Sequence, residues 1–265
     1  MNPVLPGRGE LTNIAHRGNS SQAPENTLAA FASAVAAGAG MIETDLQLSS
    51  DGTAVLIHDA SLSRTAGSGA LVGQTPAAQL RGADAGSWFA PQFAGERLPD
   101  LTDLVAFAAE HPAVSWLLEF KGEWSTSGIT SVAELLRAGG LGPRCLLQGF
   151  SRQTVRTLFT VAPDLPRGLL TGVAPPSGSE GELLQFLSAV EASACNPHGS
   201  LLTAAPGLVD TLHSNGQLVY TWTLNEPAHW EAAVSAGVDG IITDRPAGLA
   251  AWLRHSSPVR SAPGI

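Results

Sequence analysis

MIETDLQLSSDGTAVLIHD, residues 41–59, reads as a strand, a tight turn and a returning strand. Within Met41–Leu48 the acids Glu43 and Asp45 are two apart in an apolar run, so they project from the same face. Asp51-Gly52 is a turn signal, and Thr53–Asp59 follows at once. There Val55 and Ile57 alternate against Leu56 and His58, the pattern of a hairpin that extends the strand.

Working outward, the strand signal of Met41–Leu48 recurs seven times: Asn13–Gly18, Ser115–Gly122, Cys145–Phe150, Arg167–Val173, Ser193–Pro197, Leu218–Leu224 and Gly240–Thr243. Helical periodicity lies between them. Glu25–Ala37 places Leu28, Phe31, Ala32 and Val35 on one face, and Leu101–Glu110, Gly207–Ser214 and Glu226–Ala236 repeat the pattern. Strands alternating with helices imply parallel βαβ units, and eight such units imply closure into a (β/α)8 TIM barrel, an α/β fold. The chain's 265 residues suit one barrel, which takes about 250. A doubly wound open sheet gains no support, because no G-x-G-x-x-G follows the first strand.

Residues 1–265 therefore read as a single domain. Its one break in rhythm is an irregular segment of about 60–99, rich in Gly, Ala and Ser. That is too long for an ordinary loop, and it is expected as a small insertion after the hairpin, on the barrel's C-terminal mouth. Residues 255–265, HSSPVRSAPGI, read as a disordered tail.

The composition is acidic, 14 Lys+Arg against 23 Asp+Glu for a net −9, which argues against non-specific nucleic-acid or anionic-membrane binding. An anionic substrate then needs local compensation from a metal, an Arg or a Lys. Cys145 and Cys195 both lie in apolar segments and read as buried thiols of a reducing compartment. The opening MNPVLPGRGELTN has no charged stretch leading into an apolar one, and no apolar run approaches the roughly 20 residues of a membrane span. A cytoplasmic protein without stable membrane association is expected. Oligomeric state leaves no trace in the sequence.

In a barrel, side chains at the C-terminal strand ends converge on the active site. The polar residues collect there: His16 and Arg17 end the first strand, Glu43 and Asp45 lie on the second, His58 and Asp59 end the hairpin, and Glu119 and Lys121 end the next. Glu43 and Glu119 project from otherwise apolar strands, where a lone charge is costly. Three converging carboxylates repel one another unless a cation joins them, and an all-oxygen set suits Mg²⁺ or Ca²⁺ rather than Zn²⁺. Two histidines can then give and accept protons, while Arg17 and Lys121 supply fixed positive charge. Each pair alone is a weak signal, since strand ends often carry solvated acids. The ordered set, all at strand ends, is a strong one.

The chain resembles the glycerophosphodiester phosphodiesterase family. His16-Arg17-Gly18, Pro24-Glu25-Asn26-Thr27, Glu43-Thr44-Asp45, Asp51-Gly52 and His58-Asp59 are similar to that family's N-terminal signature in order and spacing, with Arg64-Thr65 continuing it. Glu119-Phe120-Lys121, Tyr220–Asn225 and Gly237–Pro246 resemble its later strands. The resemblance implies a TIM barrel with a small module after the His-Asp pair. It implies Glu43, Asp45 and Glu119 as metal ligands (Mg²⁺ or Ca²⁺, with Mn²⁺ allowed) and His16 and His58 as general acid and base. Arg17 and Lys121 fall near the phosphate.

The implied reaction is hydrolysis of a small glycerophosphodiester to sn-glycerol 3-phosphate and an alcohol. The attacking group is either the glycerol 2-hydroxyl or water, and the order in which the histidines act stays open. Glu25 reads as a supporting or helix-start residue. Phe150 and Trp222 are the aromatic candidates for substrate binding, with core packing their competing reading, and Trp88 and Phe89 in the insertion are further candidates. Two rival functions stand beside this one: a phospholipase-type phosphodiesterase acting on lipid headgroups, and a silent barrel that binds phosphorylated ligands. The first lacks an anchor or basic patch, and the second predicts a lost histidine or carboxylate.

Overall fold

The computed structural model of the protein describes residues 11–172 and 180–256. Its strands are β1 (Thr12–His16), β2 (Met41–Leu48), β3 (Ala54–Leu56), β4 (Ser115–Phe120), β5 (Cys145–Gly149), β6 (Arg167–Thr171), β7 (Ala194–Pro197), β8 (Tyr220–Thr221) and β9 (Gly240–Thr243). β3 runs antiparallel to β2 with Leu46 opposite Leu56, which makes the hairpin that the Asp-Gly turn predicts. Among the described residues the other eight strands follow the order β7-β6-β5-β4-β2-β1-β9-β8, each parallel to its neighbour.

Parallel bridges Ala194–Leu218 and His198–Trp222 join β7 to β8 and close the ring, so the fold is a TIM barrel. The closing seam explains why β8 is shorter than the predicted Leu218–Leu224. Between the two bridges the Tyr220 amide donates to Asn196 Oδ1 at 3.1 Å, and the Thr221 hydroxyl donates to the Pro197 carbonyl at 3.1 Å. Side chains replace rungs of the backbone ladder there, and β structure is interrupted.

The barrel interior is a buried layer of Ile14, Met41, Leu117, Leu146, Ala194, Tyr220 and Ile242, at most 1% exposed. Outward residues of the same strands, among them Ile42, Leu46, Trp116, Leu118 and Phe120, pack under the helices with Phe31, Leu104, Ile129 and Leu136. This two-sided burial is why the strands read as near-continuous apolar runs. The first helix spans Leu28–Ala36, later than the predicted Glu25, because Thr27 caps it by accepting the Ala30 amide at 3.2 Å. Its buried face is Ala30, Phe31 and Ala34. Ala32, expected on that face, is exposed, since the helical turn carries it to the far side.

The segment 60–99 is more ordered than its composition predicts. It forms helices Ser63–Ala66 and Ala77–Arg81 and 3-10 turns Val72–Gln74 and Pro91–Phe93. Leu62, Val72, Leu80 and Leu98 bury themselves with Val55 and Ile57 of the hairpin in a small core of their own. These apolar residues are too widely spaced to show a period. The expected tail begins inside the last helix, Pro246–Ser256, and the rest of it lies outside the described residues, as do Val173 of the sixth predicted strand and the first ten residues.

Asn196→Ala should therefore loosen the seam. The Tyr220 amide would lose its acceptor, at a cost of about 1–3 kcal/mol in urea unfolding. An unchanged midpoint with unchanged slope would show that the seam closes without it.

Candidate active site

Strand periodicity builds the site directly on this buried layer. Two residues beyond Ile14 stands His16, beyond Met41 stand Glu43 and then Asp45, and beyond Leu117 stand Glu119 and then Lys121. Beyond Leu146 come Gln148 and Phe150, and beyond Tyr220 comes Trp222. Strand register sets His16 opposite Glu43, Asp45 opposite Glu119 and Glu119 opposite Gln148. One cleft at this end, about 520 Å³, is lined by His16, Arg17, Glu43, His58, Glu119, Lys121, Phe150 and Trp222, with Gln148, Leu170, Thr223 and Ile242. Asp45 lies fully buried beside it.

Glu43, Asp45 and Glu119 each offer a carboxylate oxygen, all within 4.8 Å of one another. Lys121 Nζ stands 2.8 Å from Asp45 Oδ1 and 2.6 Å from Glu119 Oε1. It pairs with both as a single charge, within hydrogen-bond reach of each. Burial, then the neighbouring Asp45 and Glu119, hold Glu43 well above the ordinary carboxylate range. Burial and Asp45 push Glu119 up to about 7. Burial also works against Asp45, but Lys121 and Arg17 outweigh it and keep that carboxyl well below its usual value. One ammonium is too little charge for three buried carboxylates. The donor set fits a hard divalent cation, whose two charges would supply what is missing.

Two imidazoles line the same cleft, each fixed through Nδ1. His16 Nδ1 lies 2.6 Å from Asp244 Oδ1, and His58 Nδ1 lies 2.7 Å from Asp59 Oδ1. Such a carboxylate sets the tautomer and leaves Nε2 as the nitrogen for chemistry. Asp244 is itself held by Asn225 Nδ2 at 2.6 Å and the Ser20 hydroxyl at 3.0 Å. Burial pushes the His58 pKa down against the pull of Asp45 and Asp59. The His58 backbone is pinned by Gln47, whose Nε2 donates to the carbonyls of Ile57, His58 and Asp59 at 2.7–3.1 Å.

Arg17 owes its placement to a left-handed turn. Its φ is 56°, and Gly18 follows at 83° with Ala30 so close that a Cβ would sit 2.7 Å from it, so only glycine fits. The turn aims the Arg17 amide at Glu43 Oε2, 3.0 Å away, and sends the guanidinium to Glu25 (2.9 Å) and Asp45 (3.2 Å). Glu25 thus supports Arg17. Asn26 works alongside it, donating to Asp45 Oδ2 at 2.8 Å while its own oxygen accepts from Thr44 Oγ1 at 2.7 Å.

The nine residues singled out from the sequence all meet at this mouth, Phe150 and Trp222 included. Their rings stack edge to face at 5.5 Å, and Trp222 Nε1 donates to the Asn196 carbonyl at 2.8 Å. Trp88 and Phe89 pack on each other and do not line the cleft. The sequence reading missed Asp244, Asn225 and Gln148 as functional positions. Asp244 and Asn225 were visible only as letters of a motif, whereas Gln148 sits on the same two-residue period as Glu119 and could have been found.

A barrel mouth with a carboxylate triad, two carboxylate-fixed imidazoles and an arginine beside them defines an enzyme site suited to an anionic ester. The model of the "Glycerophosphoryl diester phosphodiesterase family" matches residues 16–248. The glycerophosphodiester phosphodiesterase of Caldanaerobacter subterraneus subsp. tengcongensis is 32% identical over 236 residues, 88% of this chain and 93% of the relative. A phosphodiesterase of Oleispira antarctica, solved in complex with the product sn-glycerol 3-phosphate, superposes with a TM-score of 0.81 at 28% identity, covering 91% of this chain and 96% of that one. A glycerophosphodiester phosphodiesterase of Agrobacterium tumefaciens gives a TM-score of 0.76 at 26% identity, covering 90% and 98%. The chain belongs to the glycerophosphoryl diester phosphodiesterase family of enzymes.

The charge imbalance of the triad carries its own test in metal-free protein. With Glu119 at about 7 when folded and near 4.3 when unfolded, the folded state holds the extra proton between those values, so stability falls as pH rises through that window. Glu119→Gln should flatten this fall. In EDTA at pH 8 it should be more stable than the wild type, on the order of 1–3 kcal/mol by urea unfolding. A less stable variant at pH 8 would show that Lys121 already balances the cluster.

Proposed function

We propose that the chain hydrolyses soluble glycerophosphodiesters to sn-glycerol 3-phosphate and an alcohol, with a divalent cation held by Glu43, Asp45 and Glu119. The observation that carries this reading is the pair of imidazoles, each fixed at Nδ1 by a carboxylate, in one cleft with a buried triad short of positive charge. The product-bound relative from Oleispira antarctica supports the substrate class.

A bound Mg²⁺, Ca²⁺ or Mn²⁺ would supply charge to a nonbridging phosphoryl oxygen and so stabilise the displacement. The rest falls to the chain. Arg17, with Nη1 held by Glu25 and Nε beside Asp45, offers Nη2 to a second nonbridging oxygen. Lys121 adds fixed charge beside it. One histidine takes the proton of the attacking hydroxyl at Nε2, and the other delivers a proton from Nε2 to the leaving alkoxide. Phe150, half exposed, and Trp222 wall the side of the cleft where the organic part of the substrate lies.

The whole chain acts as one phosphodiesterase unit in this reading. The insertion packs on the hairpin through its own core, and the last helix is tied to β1 by Asn13, whose amide donates to the Pro246 carbonyl at 2.9 Å. A soluble substrate met in the cytoplasm suits the net charge of −9, which disfavours anionic surfaces, and no helix among the described residues is long and apolar enough to cross a membrane.

The test is release of glycerol 3-phosphate from the choline, ethanolamine, glycerol and inositol diesters, with and without metal. Activity should vanish in EDTA and return with Mg²⁺, Ca²⁺ or Mn²⁺, and full turnover in excess chelator would remove the metal from the mechanism. His16→Asn and His58→Asn should each lower kcat by roughly 10²–10⁴-fold while the protein stays folded. A folded variant at the wild-type rate would strike that histidine from the reaction.

A further inference from the structure

Arg64 lies outside the cleft, in the first helix of the inserted segment, yet it reaches the machinery twice. Its Nε and Nη2 donate to the two oxygens of Asp59 at 2.8 and 3.0 Å. Its Nη1 and Nη2 donate to the two oxygens of Glu25 at 2.6 and 2.8 Å. One planar guanidinium thus grips two carboxylates edge-on, a geometry that a lysine ammonium cannot copy.

Both carboxylates have a second client. Asp59 Oδ1 also takes His58 Nδ1 at 2.7 Å, and Glu25 Oε1 also takes Arg17 Nη1 at 2.9 Å. The connections run His58–Asp59–Arg64–Glu25–Arg17 without a gap. Two guanidinium charges face two carboxylate charges, so the chain is neutral before either end engages substrate. Asp59 is held down to about 2, with Arg64 as the leading cause, so the carboxylate behind His58 stays ionised through neutral pH.

We propose that Arg64 is a positioning residue that orients His58 through Asp59 and Arg17 through Glu25, and so holds a proton-transfer group and a phosphate grip in one register. The proposal rests on the roles given above to His58 and Arg17. It assigns the inserted segment a purpose: to carry a clamp that neither β1 nor the hairpin supplies. Arg64 is 42% exposed, and exposed pairs contribute little to stability, so its loss should show in kinetics rather than in folding.

The experiment is steady-state kinetics of the metal-loaded full chain on glycerophosphocholine, with melting temperature as the folding check. Arg64→Ala should lower kcat and raise KM, by about 10–100-fold in kcat/KM, and Arg64→Lys should recover little of the loss. The kcat part runs through Asp59, so on an Asp59→Asn background Arg64→Ala should cost less than about 3-fold further in kcat. The KM part runs through Glu25 and should shrink likewise on a Glu25→Gln background. Added guanidinium should restore part of the activity of Arg64→Ala. Wild-type kcat and KM in both Arg64 variants, or losses that multiply in full on both backgrounds, would overturn the proposal. His58→Asn separates this from the reading beneath it: wild-type turnover there sinks the histidine role itself, whereas an inactive His58→Asn beside a fully active Arg64→Ala sinks only the clamp.

Discussion

Three carboxylates at adjacent strand ends, with one ammonium among them, set the terms for everything around the cleft. Glu43 and Asp45 lie on one strand and Glu119 on its neighbour, in register with Asp45, so strand pairing sets them side by side. Distance does not relieve their repulsion, because their oxygens lie within 4.8 Å of one another above a buried hydrophobic layer. Relief has to come from charge, and the nearest groups are arranged to provide it. Lys121 stands between two of the acids, the Arg17 amide and guanidinium address Glu43 and Asp45, and Asn26 donates to the remaining Asp45 oxygen. Positive charge still falls short, and the all-oxygen set fits a hard divalent cation.

The same constraint organises the second layer. Arg17 can stay beside Asp45 only in a left-handed turn closed by Gly18, and that turn is packed against Ala30 of the first helix. Asn26 and Thr27, adjacent in sequence, divide the work: one supports the acid cluster, the other caps the helix. A stretch of four residues, Pro24–Thr27, therefore joins helix initiation to the electrostatics of the site. Each histidine is handled in a parallel way, with a carboxylate behind it and further donors behind that carboxylate. Asp244 is braced by Asn225 and Ser20, and Asp59 by Arg64.

Much of this was legible before any coordinates. Period-2 acids in apolar strands pointed to buried carboxylates, and buried carboxylates in a group pointed to a cation, by burial cost alone. Strand–helix rhythm pointed to a barrel, and a barrel has one functional end. The internal order of segment 60–99 left no pattern in the sequence. Its core residues, Leu62, Val72, Leu80 and Leu98, recur at no helical or strand period, and they cohere only because the hairpin offers Val55 and Ile57 to pack against.

By itself the sequence determined the alternation of strands and helices, the strand ends at which charge accumulates, and the acidic residue types that gather there. These are local properties, read from spacing along a single element. Only the tertiary structure decided which carboxylate stands behind which histidine. Asp244 reaches His16 across 228 residues because β9 lies beside β1 in the closed ring, and Arg64 reaches Glu25 across 39 because the inserted segment packs on the hairpin beside it. The seam between β7 and β8, with a side-chain amide in place of a backbone rung, belongs to the same class. Such pairings depend on how far a sheet has curled before it meets itself, and no short-range pattern carries that distance.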